Sequence, residues 1–186
     1  MCLISIPWVS ACHAEIDAVE LSVLNAVMAH GLDASYKFVT IAETTTGDSA
    51  GIFAKNRSPE TLADLWQIPT ALLVDWRDKN LTPETIVETF ELPINYQMLS
   101  GEHLTEIFVD EDAYAGWRRY YERFQDSAGI LRISRVGFDS NQSAALVYME
   151  HQCGLECGQG RVVYLTYDPK EGWQPLLSII VWIAEI

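Results

Sequence analysis

Ile130-Leu131-Arg132-Ile133-Ser134-Arg135-Val136-Gly137-Phe138 is the first of four strand-like runs that fill the chain from residue 130 to residue 183. It stops at Asp139-Ser140-Asn141-Gln142. Residues 143–151 form the second run, closed by Cys153-Gly154-Leu155-Glu156-Cys157-Gly158-Gln159-Gly160. The third, 161–167, turns through Asp168-Pro169-Lys170-Glu171-Gly172 into the fourth, 173–184. β-Branched and aromatic residues bounded by Gly, Asn, Asp and Pro are the signal of strands joined by tight turns. Connections this short force neighbouring strands antiparallel. The reading is an α+β fold: a C-terminal four-stranded antiparallel meander on which N-terminal and central helices pack.

Upstream, residues 15–30 give the clearest helix. Ile16, Val19, Val23 and Val27 recur at three- and four-residue spacing, widened by Leu24 and Met28. Glu15, Asp17 and Glu20 suit the positive end of the helix dipole, and Gly31 is a C-cap candidate. Residues 36–41 read as a strand. Ser58-Pro59 starts a helix with Ser as N-cap and Pro at its first position, interrupted at Pro69 and resumed over 70–78. Asn80-Leu81-Thr82-Pro83-Glu84 predicts a further short helix to about Phe90. Residues 93–99 alternate like a strand, and Ser100-Gly101-Glu102 opens a helix ending near Phe108. Residues 113–125 are helical, with Tyr114, Trp117, Tyr121 and Phe124 forming an aromatic stripe expected to face the meander.

The chain has 186 residues, 49% of them hydrophobic, with six Trp, eight Tyr and six Phe. That length suits one domain with its own core, residues 15–186. Twelve basic against 26 acidic side chains give a net charge of −14. Phosphate polyanions are repelled by such a field, so nucleic acid is not an expected partner. No run reaches the ~20 apolar residues of a spanning helix, so the chain is not expected to cross a membrane. The segment 176–183 is apolar on both strand parities, the pattern of a strand covered on both faces, by helices or by a second subunit. Oligomeric state stays open.

Residues 1–14 are apolar and lack Lys and Arg. Val9-Ser10-Ala11-Cys12 has the form of a lipoprotein cleavage box, which would place a lipid anchor on Cys12. Cys12-His13-Ala14 alternatively ends a secretory signal. Either reading sends the protein to the cell envelope or periplasm. A short apolar part without a positive leader also fits an N-terminal strand.

The words Ser134-Arg135-Val136-Gly137-Phe138, Ala145-Leu146-Val147-Tyr148, Cys153-Gly154-x-x-Cys157-Gly158-x-Gly160 and the late Trp173 and Trp182-Ile183 resemble a family of uncharacterised bacterial proteins. Its signature runs S-R-V-G-F-N, A-L-V-Y-V, C-G-x-L-C-G-x-G, then a Trp-led last strand. The resemblance covers the last third of the chain, with Leu155 and Glu156 in the opposite order to the usual loop. It implies the fold and assigns no activity.

Cys153 and Cys157 are the sharpest chemical feature. Two thiols four apart in a Gly-rich turn can close a disulfide across ~5.5 Å between Cα atoms. The alternatives are a redox pair, or a metal site on His151, Cys153 and Cys157. Redox C-x-x-C thiols normally sit at a helix N-terminus, and zinc takes four ligands, whereas three candidates cluster here. A structural staple is the favoured reading, with no metal and no cofactor expected. Arg118, Arg119, Arg123, Arg132 and Arg135 crowd one stretch of an acidic chain. They form either an anion pocket or ordinary ion pairs with Glu122, Asp126 and the acidic connector 109–112, the latter favoured. His13, His30, His103 and His151 share no local frame. No Ser-His-Asp spacing, phosphate loop, H-E-x-x-H or dinucleotide fingerprint is present. Glu150 and Asp139 flank the hairpin ends, and Glu150, His151, Arg132 and Arg135 make the candidate patch.

Three classes of function fit. The favoured one is an exported module that binds a protein or a small molecule, with a disulfide-stapled hairpin. The second is a metal- or thiol-dependent enzyme using His151, Cys153 and Cys157. The third is a structural envelope protein. A binding module predicts an exposed apolar patch, and an enzyme predicts a concave pocket with convergent polar groups.

Overall fold

The structure is a computed structural model that describes residues 16–33, 35–47, 51–53, 57–110 and 112–184. Residues 1–14, with the cleavage-box and Cys12 readings, lie outside the described residues. Chain order is α1 (Ala18–Gly31), β1 (Phe38–Ala42), α2 (Pro59–Trp66), α3 (Thr70–Lys79), β2 (Asn95–Leu99), α4 (Gly101–Ile107) and α5 (Ala113–Arg123). Then come β3 (Ser127–Ile133), β4 (Gly137–Phe138), β5 (Ala144–Gln152), β6 (Gly158–Asp168) and β7 (Gly172–Ile183).

Local chemistry starts most of these helices where expected. Asp17, Ser58, Ser100 and Asp112 are the N-caps of α1, α2, α4 and α5, each side chain accepting a backbone N–H three residues on. Pro69 precedes α3, and Gln67 ends α2 in the left-handed region. Gly31 is the last residue of α1 rather than its cap. A Cβ there would collide with the Met149 side chain, so the glycine serves close packing on the sheet.

The meander is present: β3, β5, β6 and β7 are successive antiparallel neighbours. It is part of a larger mixed sheet, ordered β2-β1-β3-β5-β6-β7, with β4 also on β5. β1 pairs parallel with both β2 and β3. Parallel pairing needs long crossovers, and helices α2 to α5 lie in those crossovers.

Two expectations fail locally. The run 130–138 is not one strand, because side chains replace ladder partners between β3 and β4. Asn80 Oδ1 takes the Arg135 N–H at 2.8 Å, Glu20 Oε1 takes the Val136 N–H at 2.8 Å, and Ser134 Oγ takes the Tyr148 N–H at 2.9 Å. The helix expected over 80–90 does not form. Distant backbone captures that segment: Thr45 N–H donates to Glu84 O, Ile86 N–H donates to Glu43 O, and Thr44 bridges Thr85. Ile86 and Phe90 still reach the core, from an irregular chain.

Alternation divides the sheet. One face carries Leu131, Ile133, Val147, Met149 and Leu165 against Val23, Leu24, Val27 and Met28 of α1. The other carries Leu146, Tyr148 and Val162 under α2 and α3, and Ile130 under α4 and α5. The aromatic stripe of α5 is shifted by its real packing. Tyr120 is fully buried while Tyr114 is 70% exposed, and the contact is with Ile130 at the first strand of the meander. Within the chain, helices do not cover both faces of 176–183: among the described residues β7 is the sheet edge, pairing with β6 alone, and Leu176 and Ile180 are exposed.

Among the described residues, no helix is long and apolar enough to cross a membrane.

Candidate functional site

Cys153 and Cys157 form a disulfide, with Cα atoms 5.0 Å apart. That spacing lies within the range a disulfide tolerates. The Cys153 N–H also donates to Cys157 O, and Tyr121 O–H of α5 donates to Cys153 O at 2.9 Å. The loop between β5 and β6 is thereby fastened both to itself and to a helix.

The candidate patch does not hold together. Strand alternation puts His151 and Arg135 on the α1 side and Arg132 and Glu150 on the opposite side. Arg135 is held by Glu20 of α1, with Nε–Oε1 at 2.7 Å and Nη2–Oε2 at 2.8 Å. Both side chains are buried. Hydrogen bonding to Glu20 raises the Arg135 pKa against the opposing effect of burial. This ion pair closes the break between β3 and β4 and belongs to the fold. His151 Nε2 lies 2.7 Å from Ala128 O, beside the Tyr36 ring. Burial lowers its pKa, and the Ala128 contact opposes that. Among the described residues, no group of three or more His, Cys, Asp or Glu is placed to hold a metal ion.

Most of the remaining arginines make pairs. Arg119 forks onto Asp110 in the connector, and Arg123 meets Glu106 rather than Glu122 or Asp126. Asp139 caps its own turn, accepting from Ser143 N–H and Ala144 N–H.

Arg132 and Glu150 are different, because Arg132 lines the floor of a cleft and Glu150 holds it there from the neighbouring strand. They face each other across β3 and β5. Arg132 Nη1 donates to Glu150 Oε1 at 3.0 Å and to Gln152 Oε1 at 2.8 Å. Tyr148 O–H donates to Glu150 Oε2 at 2.7 Å, and Trp182 Nε1–H donates to Tyr148 Oη at 2.7 Å. Tyr148, Glu150 and Gln152 alternate along β5, so all three share this face. Gly160 opposes Trp182 in the ladder, and a Cβ on it would strike the indole and the Tyr148 hydroxyl. The glycine makes room for this chain of bonds. Burial, followed by the Glu150 charge, pushes the Tyr148 pKa well up, so the phenol stays protonated as a donor.

Around this floor the walls are apolar. Phe108 and Trp117 come from the α4–α5 hairpin, Leu155 and Cys157 from the stapled loop, and Trp182 from β7. The cleft, open to solvent on one side, has a volume of about 320 Å³. Phe108 and Trp117 meet edge to face at 5.4 Å, and Trp117 meets Tyr120 in the same way at 5.3 Å, which fixes the indole on α5.

The polar floor is unevenly used. Both Arg132 bonds come from Nη1, and Gln152 accepts through Oε1. Among the described residues, Arg132 Nε and Nη2 and Gln152 Nε2 have no hydrogen-bond partner. No buried side-chain nitrogen or oxygen lacks one. These donors therefore reach solvent, and both residues line the cleft.

Gln152, Tyr148, Trp117 and Trp182 were not singled out as a site in the sequence. The period of two along β5 was legible, and would have paired Glu150 with Tyr148 and Gln152 rather than with His151. The contributions of α4–α5 and β7 come from tertiary packing. No protein-family model, curated protein or solved structure matches the chain.

Proposed function

We propose that this protein is an exported binding module whose ligand site is the cleft between the α4–α5 hairpin and the stapled β5–β6 loop. The observation that carries the reading is the combination of aromatic walls with solvent-facing donors on Arg132 and Gln152. Specific small-molecule sites have this composition: a mostly apolar concavity with a few placed polar groups. The Cys153–Cys157 bond supports export, since disulfides persist in oxidising compartments and are rare in reducing ones. The bond holds the Leu155 wall in place, a positioning role rather than a chemical one.

The test is a fragment screen by two-dimensional ¹⁵N–¹H NMR on the oxidised full chain, followed through the indole N–H signals of Trp117 and Trp182. Hits that move these two signals, and that Trp117→Ala weakens without unfolding the protein, are the expected result. A screen whose hits all map away from the cleft overturns the assignment.

A further inference from the structure

We infer that the ligand of this cleft is an apolar or aromatic monocarboxylate, an inference that rests on the cleft being a binding site. It follows from the hydrogen-bonding inventory of the floor. Among the described side chains of the floor, the unpartnered groups are donors only: Nε and Nη2 along one edge of the Arg132 guanidinium, and the Gln152 amide nitrogen. Both Glu150 oxygens are engaged, one by Arg132 and one by Tyr148. The Trp182 N–H is spent on Tyr148. A ligand must therefore bring acceptors, and a cation meets a guanidinium with no open carboxylate beside it.

The Nε–Nη2 edge of an arginine matches a carboxylate in bidentate fashion. With Glu150 on Nη1 and the ligand on the other edge, Arg132 bridges two carboxylates without moving. Charge-assisted bonds of this kind are roughly twice as strong as those to a neutral carbonyl. The charge is limited to one, because among the described residues no second Lys or Arg lines the cleft. A phosphate dianion would lie near Glu150 in a chain of net charge −14. The rest of the ligand is set by Phe108, Trp117, Leu155 and Trp182, which offer rings and aliphatic surface to an apolar body. A cavity of about 320 Å³ accommodates one ring system or a short branched chain.

A free small acid and the C-terminal carboxylate of a peptide ending in an apolar residue share this chemistry. Isothermal titration of the full oxidised chain separates them, using 3-phenylpropionate, its primary amide, and a short peptide with a C-terminal Phe. Both carboxylates should bind, with the tighter one naming the source, and the amide about tenfold more weakly than its acid. Arg132→Lys keeps a charge for Glu150 but loses the planar fork. It should lower acid affinity about tenfold and amide affinity by less, so that the acid loses most of its advantage over the amide. Amide binding equal to acid binding, with indole signals of Trp117 and Trp182 shifting, overturns the carboxylate inference and leaves the cleft as a site. Absence of any indole shift with all three probes overturns the inference, and with an empty fragment screen overturns the site as well.

Discussion

Glu20 illustrates how much one side chain can decide. It lies in the first turn of α1, where helix electrostatics alone would account for it, yet it is 2% exposed. Its two oxygens serve Arg135 and the Val136 N–H, tying the first helix to the break in the central strands. Arg135→Ala leaves that carboxylate buried and unpaired. The expected loss is about 3 kcal/mol or more, read from urea midpoints at constant slope. Replacing both partners, as Glu20→Met with Arg135→Met, should recover part of it, since two apolar groups leave no orphan charge. His151 gives a pH signature at the same scale. Its surroundings are Tyr36, the Ala128 carbonyl and the Arg161 guanidinium, and burial holds its pKa below the ordinary ~6.5. Between that lowered value and ~6.5 the unfolded chain binds the proton that the native state refuses. Stability therefore falls as pH drops through this window. Melting temperatures at about pH 7.5 and about pH 5.5 check it, because His151→Gln should show a smaller acid-side decrease than the parent chain.

At the scale of elements, the β5–β6 hairpin is the piece with separable parts. Its ladder runs from Ala144 opposite Thr166 to Gln152 opposite Gly158, and the disulfide lies just past that end. Closing so short a loop stabilises by roughly 2 kcal/mol in the chain-entropy model. Cys153→Ser with Cys157→Ser should lose about that amount by chemical denaturation. The ladder and the Tyr121 contact remain, so the fold should survive with an unchanged far-ultraviolet spectrum. Loss of the whole fold on removing these two cysteines would show that the staple holds more than its own turn.

For the whole molecule, the decisive contact is that of α3 with the sheet. Trp76 is 2% exposed, and its Nε1–H donates to Ser134 Oγ at 2.9 Å. Gly137 of β4 lies directly against the Trp76 backbone, where an added Cβ would meet Trp76 Cα and N at 2.7 Å. Backbone at that distance cannot step aside as a flexible side chain can. Gly137→Ala should therefore push α3 off the sheet and cost about 1–3 kcal/mol. Amide hydrogen exchange should quicken first in α2 and α3, with the α1 face keeping its protection. Uniform loss of protection over all helices would instead mean that the two faces are not separable.

The sequence by itself determined what depends on neighbours along the chain. Turn residues set the four strands of the meander, and Ser58-Pro59 and Ser100 set helix starts, because capping and tight turns are satisfied within a few residues. The cysteine spacing set the disulfide for the same reason. Tertiary structure decided whatever depends on partners far away. Ser134 to Val136 left the ladder because Glu20 and Asn80 supply distant bonds, and Glu43 and Thr45 took the backbone partners of a segment that reads locally as a helix. The parallel strands joined the sheet through crossovers whose return no local pattern states. At the cleft, the floor was written in the alternation of Tyr148, Glu150 and Gln152. Its walls come from helices, a loop and an edge strand whose meeting is fixed only when the core packs.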